Sequence, residues 1–202
     1  DQVINLAAGF DARPYRMDLP PSLRWAEIDL PEIIDEKEEI LRGEKSRCQV
    51  ERFRLDLADV PQRQKLFAWL ASRSQRTLIS CEGLLIYLSA EEVGALASDL
   101  HANASFQHWI VDMASPGLLK MLQQKMGKEV TAAGAPYKFG PPEGPPFFRP
   151  FGWEPADVQS MLKNAARLKR LSFFLCLLAR LPDSSGAQGS RPWGGVVLLE
   201  RK

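Results

Sequence analysis

Gly9, Asp11, Asp29, Asp56 and Glu82 each stand where an apolar run gives way to a turn or a helix start. In "VINLAAGFDARPYR" the run from Val3 turns at Gly9 and meets an acid at Asp11. "RWAEIDL" closes on Asp29, twenty residues after Gly9. "QVERFRLDL" ends in the pair Asp56 and Leu57, and "RTLISCEG" brings Glu82 to the end of a fourth apolar run. A glycine at such a turn permits close backbone approach and a left-handed conformation. Carboxylates at the carboxyl ends of consecutive strands line one crevice. At those positions Asp29 can accept from both hydroxyls of a ribose, and Asp56 can accept from an adenine amino group beside the Leu57 amide. Glu82 then lies at the mouth, where the reacting end of the ligand belongs. Such a row suits a cationic, hydroxyl-rich ligand better than a pyrophosphate, which prefers backbone amides and positive charge.

Positioning these residues requires a parallel sheet, and the chain alternates accordingly. Strands are expected at Val3 to Ala7, Arg24 to Leu30, Gln49 to Leu57, "RTLISCEG" and "HWIVDM". Helices are expected between them. Pro31 opens "PEIIDEKEEILRG" and Gly43 ends it. "PQRQKLFAWLASR" sets Leu66, Phe67 and Leu70 on one face. Ser89 and Glu92 form an S-x-x-E capping box before "AEEVGALASDLHAN", and a further helix begins near Pro116. Gly134 to Pro155, rich in Pro, Gly and aromatics, reads as a long ordered loop or lid. A helix from Pro155 to about Ala166, a strand near Leu168 to Leu178, a polar turn and the closing strand "WGGVVLLE" complete the expectation, the last two strands as an antiparallel hairpin.

With 202 residues, 45% of them hydrophobic and 25% charged, a single domain is expected over 1–202. Twenty-six basic residues balance 25 acidic ones, which speaks against a nucleic-acid partner. Cys48, Cys81 and Cys176 form no CxxC pair and read as reduced thiols. His101 and His108 lack the spacing of a metal site. The longest apolar run, "LSFFLCLLARL" from Leu171 to Leu181, is broken by Arg180 and falls short of the ~20 residues that span a bilayer, so no membrane partner is expected. A chain that opens in a core strand, with unpaired cysteines, is expected in the cytoplasm.

Five βα units followed by an antiparallel strand pair resemble the class I S-adenosylmethionine-dependent methyltransferases. They have a Rossmann-like, seven-stranded, mostly parallel α/β sheet with helices on both faces. "AAGFDA" alone is a GxGxxA pattern with Ala7 in place of the first glycine, and leaves nicotinamide, flavin and S-adenosylmethionine cofactors open. The successive motifs "VINLAAGFDARPYR", "WAEIDLPEIIDEK", "RLDLAD" and "CEGLLIYLSAEEV" are similar to those of the leucine carboxyl methyltransferase family. That family also holds many bacterial proteins assigned as polyketide-type O-methyltransferases. The resemblance runs from about Val3 to Val93 and continues thinly in "WIVDM" and "FGWEPADV".

The resemblance implies S-adenosylmethionine as cofactor. Ala7 and Gly9 would hold its methionine part, Asp29 the ribose, Asp56 with Leu57 the adenine, and Glu82 a further contact. Asp11 is counted with the cofactor residues, or forms an ion pair with Arg13 or Arg16. Ala7 departs from the family's "NLGAG" by one methyl group. Family members also carry a helical segment before the first strand, with an arginine that grips the cofactor carboxylate. A chain that begins at Asp1 is therefore expected to be a fragment or a shortened member.

The implied reaction is O-methylation of a carboxylate or hydroxyl on a small, largely apolar molecule, with Tyr137 to Trp153 as its cover. A carboxylate acceptor is preferred, because a hydroxyl needs a base and the candidates are only Tyr87 and Asp112. Two other readings stand beside it. One is a cofactor-binding protein of the same fold without catalysis. The other is a nicotinamide-dependent oxidoreductase, for which Tyr87 lacks a lysine in the following helix.

Overall fold

The computed structural model describes residues 1–132 and 134–202. Its strands are β1 (Gln2–Leu6), β2 (Arg24–Asp29), β3 (Gln49–Arg54), β4 (Thr77–Cys81), β5 (Phe106–Ala114), β6 (Trp153–Ser160) and β7 (Gly194–Arg201). Its α-helices are α1 (Arg13–Arg16), α2 (Pro31–Ile40), α3 (Val60–Ala71), α4 (Ala90–His101), α5 (Pro116–Ala132), α6 (Met161–Arg167) and α7 (Phe173–Leu178). The strands form one seven-stranded sheet in the order β3-β2-β1-β4-β5-β7-β6. The fold is Rossmann-like: β1 pairs in parallel with β2 and β4, β2 in parallel with β3, and β6 antiparallel with β7. Among the described residues no helix is long and apolar enough to cross a membrane.

The chain divides into two compact units, Asp1–Glu82 with Asp99–Trp109, and Gly83–Ser98 with Ile110–Lys202. In the first, β1 is buried along its whole length because it has a strand on each side and helices to cover it, as a parallel strand requires. Ile4, Leu6, Ile28, Ile34, Phe67 and Ile79 are wholly inaccessible. The two polar side chains of β1 are hydrogen-bonded internally: Gln2 Nε2 donates to Thr77 Oγ1 at 3.4 Å and Asn5 Nδ2 to Asp11 Oδ2 at 2.8 Å.

Beneath the surface of this unit lies an ion network. Lys37 Nζ of α2 donates to Glu27 Oε1 of β2 at 2.9 Å, and Arg52 Nε of β3 to Glu27 Oε2 at 2.9 Å. Lys37 and Glu27 are 1% and 0% exposed. Cys48 is a buried free thiol, pushed above its ordinary pKa by burial and by Glu27. Cys81 is buried and free as well, and Cys176 is free and half-buried.

In the second unit the capping box forms as expected. The Ser89 amide donates to Glu92 Oε2 at 2.6 Å and the Glu92 amide to Ser89 Oγ at 3.1 Å. Phe139, Phe148 and Trp153 are buried, with Phe139 and Phe147 edge to face at 5.0 Å. Trp153 Nε1 donates to the Ala97 carbonyl at 3.0 Å, and Gly94 leaves room for the Phe151 ring, which a Cβ would meet at 2.6 Å. These aromatics of the Pro-rich stretch are core groups of their unit.

The last third of the chain differs from the sequence expectation. The antiparallel pair is present, but its first strand is Trp153–Ser160, not Leu168 to Leu178. The helix expected from Pro155 is confined to Met161–Arg167, and the run expected as a strand carries α7. A sheet edge needs few apolar groups: β6 is buried at Trp153 and exposed from Ala156 to Gln159. Its register shifts between Pro155 and Asp157.

Candidate functional site

Strands β1 to β4 end almost level. Leu6 lies opposite Ile28 on one side and Cys81 on the other, and Asp29 opposite Arg54. Parallel pairing in this register brings the turns after all four strands to one edge, and every acid expected there lies within the first unit.

After β1 the backbone enters the left-handed region twice, at Ala7 with φ 51° and at Gly9 with φ 45°. The space where a Cβ on Gly9 would stand is open, with nothing within 4 Å. The turn is fastened to β2: the Ala8 amide donates to the Ile28 carbonyl at 3.3 Å, and the Gly9 amide to Asp29 Oδ2 at 2.7 Å. Asp29 Oδ1 accepts the Leu30 amide at 2.8 Å. Each carboxylate oxygen has a further lone pair, so Asp29 keeps acceptor capacity while holding the turn.

Asp11 is engaged with protein partners. Its Oδ2 accepts from Asn5 Nδ2 at 2.8 Å and from Arg13 Nε at 2.7 Å, and its Oδ1 from the Arg13 amide at 2.9 Å. The ion pair with Arg13 anticipated as one reading of Asp11 is thus formed. Arg13 continues to the end of β4, where its Nη1 lies 2.7 Å from Glu82 Oε1. Its Nη2 donates to Ser80 Oγ at 3.4 Å, and Ser80 Oγ donates to Glu82 Oε1 at 3.1 Å. Burial disfavours the Arg13 cation, but Asp11 and Glu82 outweigh it and its pKa is raised. The sequence marked Arg13 only as a neighbour of Asp11; its reach to Glu82 depends on β4 lying beside β1, which local spacing does not reveal.

After β3, Asp56 is exposed; its Oδ1 accepts the Ala58 amide at 2.9 Å. The Leu57 carbonyl accepts from Arg63 Nη1 at 2.6 Å, and Arg63 is held in turn by Asp99. Asp59 caps α3 through the Gln62 amide. The Asp56 turn is therefore held by hydrogen bonds on both sides while its carboxylate faces solvent. Glu82 is 56% exposed.

Tyr87 and Asp112 belong to the second unit. Asp112 Oδ1 accepts the Gly83 amide at 2.7 Å, bracing the turn where Gly83 has φ 68°. Burial, followed by the influence of Tyr137 and Asp112, pushes the Tyr87 phenol above its ordinary pKa. A phenol so raised stays protonated at neutral pH and is a poor base. His101 and His108 lie in the first unit, and among the described residues no group of three or more His, Cys, Asp or Glu side chains is arranged to hold a metal ion.

Taken together, the first unit offers an edge lined by carboxylates of Asp29, Asp56 and Glu82 around an open glycine turn. Such an edge can accept several hydrogen bonds and attract a cation.

A family model described as leucine carboxyl methyltransferase matches residues 1–101. A provisionally named S-adenosyl-L-methionine-dependent methyltransferase of Parafrankia sp. (strain EAN1pec) is 35% identical over 101 residues, which are 49% of this chain and 32% of that protein. One of the same kind from Streptomyces avermitilis is 29% identical over 208 residues, covering 100% of this chain and 67% of its own length. The chain spans about a third of the first curated relatives it matches. Among solved structures, a DUF574 family protein from Streptomyces avermitilis is similar with a TM-score of 0.65 at 12% identity, covering 100% of this chain and 75% of that one. Magnesium protoporphyrin IX methyltransferase from Synechocystis PCC 6803, solved with bound SAH, gives a TM-score of 0.52 at 13% identity, covering 99% and 74%. At these identities the structures show a shared fold.

Proposed function

The chain belongs to the leucine carboxyl methyltransferase family, and on that premise we propose that it binds S-adenosylmethionine along the edge of β1 to β4 and serves O-methylation of a small, largely apolar molecule. The observation that carries this reading is the row of carboxylates after β2, β3 and β4, set around the left-handed turn at Ala7 and Gly9. The donor set fits the cofactor. Asp29, with one lone pair free on each oxygen, accepts from the ribose hydroxyls. Asp56, exposed on a hydrogen-bonded turn, accepts from the adenine amino group with the Leu57 amide beside it. Ala7 and Gly9 approach the methionine part, and Glu82, steadied by Arg13 and Ser80, meets its ammonium group. Asp11 acts by locking Arg13 and the turn.

When bound, S-adenosylmethionine supplies a methyl group on a sulfonium, which an acceptor oxygen takes by in-line displacement. The protein's part is to hold the partners near contact distance. A carboxylate acceptor is favoured over a hydroxyl, since it needs no base and the raised pKa of Tyr87 keeps that phenol protonated. The second unit by itself holds an open apolar cavity of about 650 Å³, lined by Leu118, Met121, Leu162, Leu175 and Trp193. That volume lies in the range of small-molecule sites.

The test begins with calorimetric titration of S-adenosylhomocysteine into the wild type and the Asp56→Ala variant. Micromolar binding, at least ~tenfold weaker in the variant, is expected from loss of a hydrogen bond to a charged group. Transfer of a labelled methyl group is then measured with a panel of apolar carboxylic acids and phenols. Base-labile label identifies an ester and a carboxylate acceptor. Absence of binding overturns the cofactor assignment; binding with no transfer to any acceptor leaves a cofactor-binding protein of this fold without catalysis; binding of a nicotinamide cofactor instead replaces the reading with an oxidoreductase.

A further inference from the structure

Met161 to Leu181 contains Lys163, Arg167, Lys169, Arg170 and Arg180 and no acid, in a chain whose formal net charge is +1. Lys163 is paired with Asp183 at 2.8 Å, whereas Arg167, Lys169, Arg170 and Arg180 are exposed. Between the last two cations lies α7, "FFLCLL", the apolar run too short to span a bilayer.

At 100° per residue, Phe173, Phe174 and Leu177 share one face of this helix. They are 80%, 78% and 56% exposed, and the flanking Leu168 and Leu181 are 59% and 43% exposed. The two phenyl rings stand edge to face at 6.0 Å, projecting together. Leu171, Leu175 and Ala179 face the other way and line the apolar cavity of the second unit. The helix is thus apolar toward its own unit and toward solvent, with cations before and after it. An apolar patch of this kind marks an interaction site. The charges from Met161 to Leu181 are all cationic and the next acid, Asp183, is paired with Lys163, so the patch favours an anionic partner. Outward aromatic rings and leucine between basic residues match the composition of helices that lie in a membrane interface.

We propose that this face docks peripherally on an anionic lipid bilayer. Phe173, Phe174 and Leu177 insert at the boundary of the acyl chains, and Arg167, Lys169, Arg170 and Arg180 meet the headgroups. A helix of six residues rests in the interface and does not cross it. The attachment places the protein at the phase where apolar molecules accumulate, and it is independent of the cofactor assignment.

The experiment is sedimentation of the chain with vesicles of phosphatidylcholine alone and of phosphatidylcholine mixed with phosphatidylglycerol, across a salt series. Binding at least ~tenfold tighter to the anionic vesicles, weakening as salt rises, is expected from headgroup attraction. Phe173→Ser with Phe174→Ser should lower that binding about tenfold or more. Lys169→Gln with Arg170→Gln should reduce the preference for anionic vesicles. All four side chains are exposed, and circular dichroism melting verifies that both double variants remain folded. A Phe173→Trp variant should show, with anionic vesicles only, a blue shift beyond that of the wild type, whose five tryptophans set the background, reporting insertion as distinct from charge attraction. The proposal is overturned by failure to bind anionic vesicles, by equal binding to both vesicle types, or by binding that survives the phenylalanine substitutions. It is equally overturned if the patch instead drives self-association, seen as a larger species in sedimentation velocity that disappears in the phenylalanine variant.

Discussion

The Gly9 amide donates to Asp29 Oδ2 at 2.7 Å, so the turn after β1 and the acid after β2 form one piece of structure. Replacing Asp29 by Ala therefore strands a partly buried N–H as well as removing the acceptor proposed for the ribose. We expect a loss of about 1–3 kcal/mol in stability, measured by urea unfolding, together with at least ~tenfold weaker S-adenosylhomocysteine binding. Weaker binding at unchanged stability would show that the Gly9 bond does not hold the turn.

Ala7 has φ 51°, a conformation that costs an L-residue about 1–2 kcal/mol. Glycine relieves it but gains freedom in the unfolded chain worth about 0.4–1 kcal/mol. Ala7→Gly should thus stabilise by about 0.5–1 kcal/mol and, under the proposed cofactor placement, bind S-adenosylhomocysteine severalfold more tightly by removing a methyl group from the turn. A lower denaturation midpoint in the variant would contradict this account.

The Lys37 and Glu27 pair is fully buried, and cutting one partner leaves the other charged in a poor solvent. Lys37→Met is expected to cost about 3 kcal/mol, less if Arg52 takes over Glu27 fully. Adding Glu27→Gln should recover part of the loss, and a double-mutant cycle in urea measures the coupling. Additive effects would show that the two side chains act separately.

At Gly94 a Cβ would stand 2.6 Å from Phe151 Cζ. Gly94→Ala should overpack the second unit by about 1–3 kcal/mol. Combining it with Phe151→Leu, which withdraws the ring, should restore much of the difference in thermal midpoint; no restoration would place the strain elsewhere.

Glu92 receives the Ser89 amide, which holds its carboxyl below the usual carboxylate range. A depressed folded pKa contributes stability that is present above the unfolded pKa and disappears as pH falls through the lowered value. Glu92→Gln keeps a neutral acceptor for the cap, so its difference from wild type isolates the charge. That difference, about a few tenths of a kcal/mol at a helix N-terminus, should persist at pH 7 and vanish in acid below the depressed value. Urea midpoints compared from neutral pH downward test it.

The first four strands, their helices and the capping box were legible in the sequence because each follows from a local pattern: continuous apolar runs in central strands, Pro31 at a helix start, Ser89 with Glu92. The sixth strand was not. "WEPADVQS" contains a proline and buries few groups, as an edge strand is free to do, whereas "LSFFLCLL" is apolar throughout. Short apolar runs do not distinguish strand from helix, and this one becomes α7 with its phenylalanines exposed. In the candidate site, the acids were visible from their positions at strand ends. Asp29's bond to Gly9 and Arg13's reach to Glu82 depend on the strand order, which brings β2 and β4 to either side of β1.

The register shift in β6 has a consequence for how the molecule behaves in a crowd. A sheet's outermost strand is a template on which a foreign chain can add itself. Here that strand carries Pro155, which lacks a backbone donor, an irregularity before Asp157, and the Asp157 charge itself. At the opposite border β3 presents Glu51, Arg52 and Arg54 in its six residues. Both margins therefore resist recruitment into aggregates: one is interrupted by a missing donor and a register shift, and the other is guarded by charge.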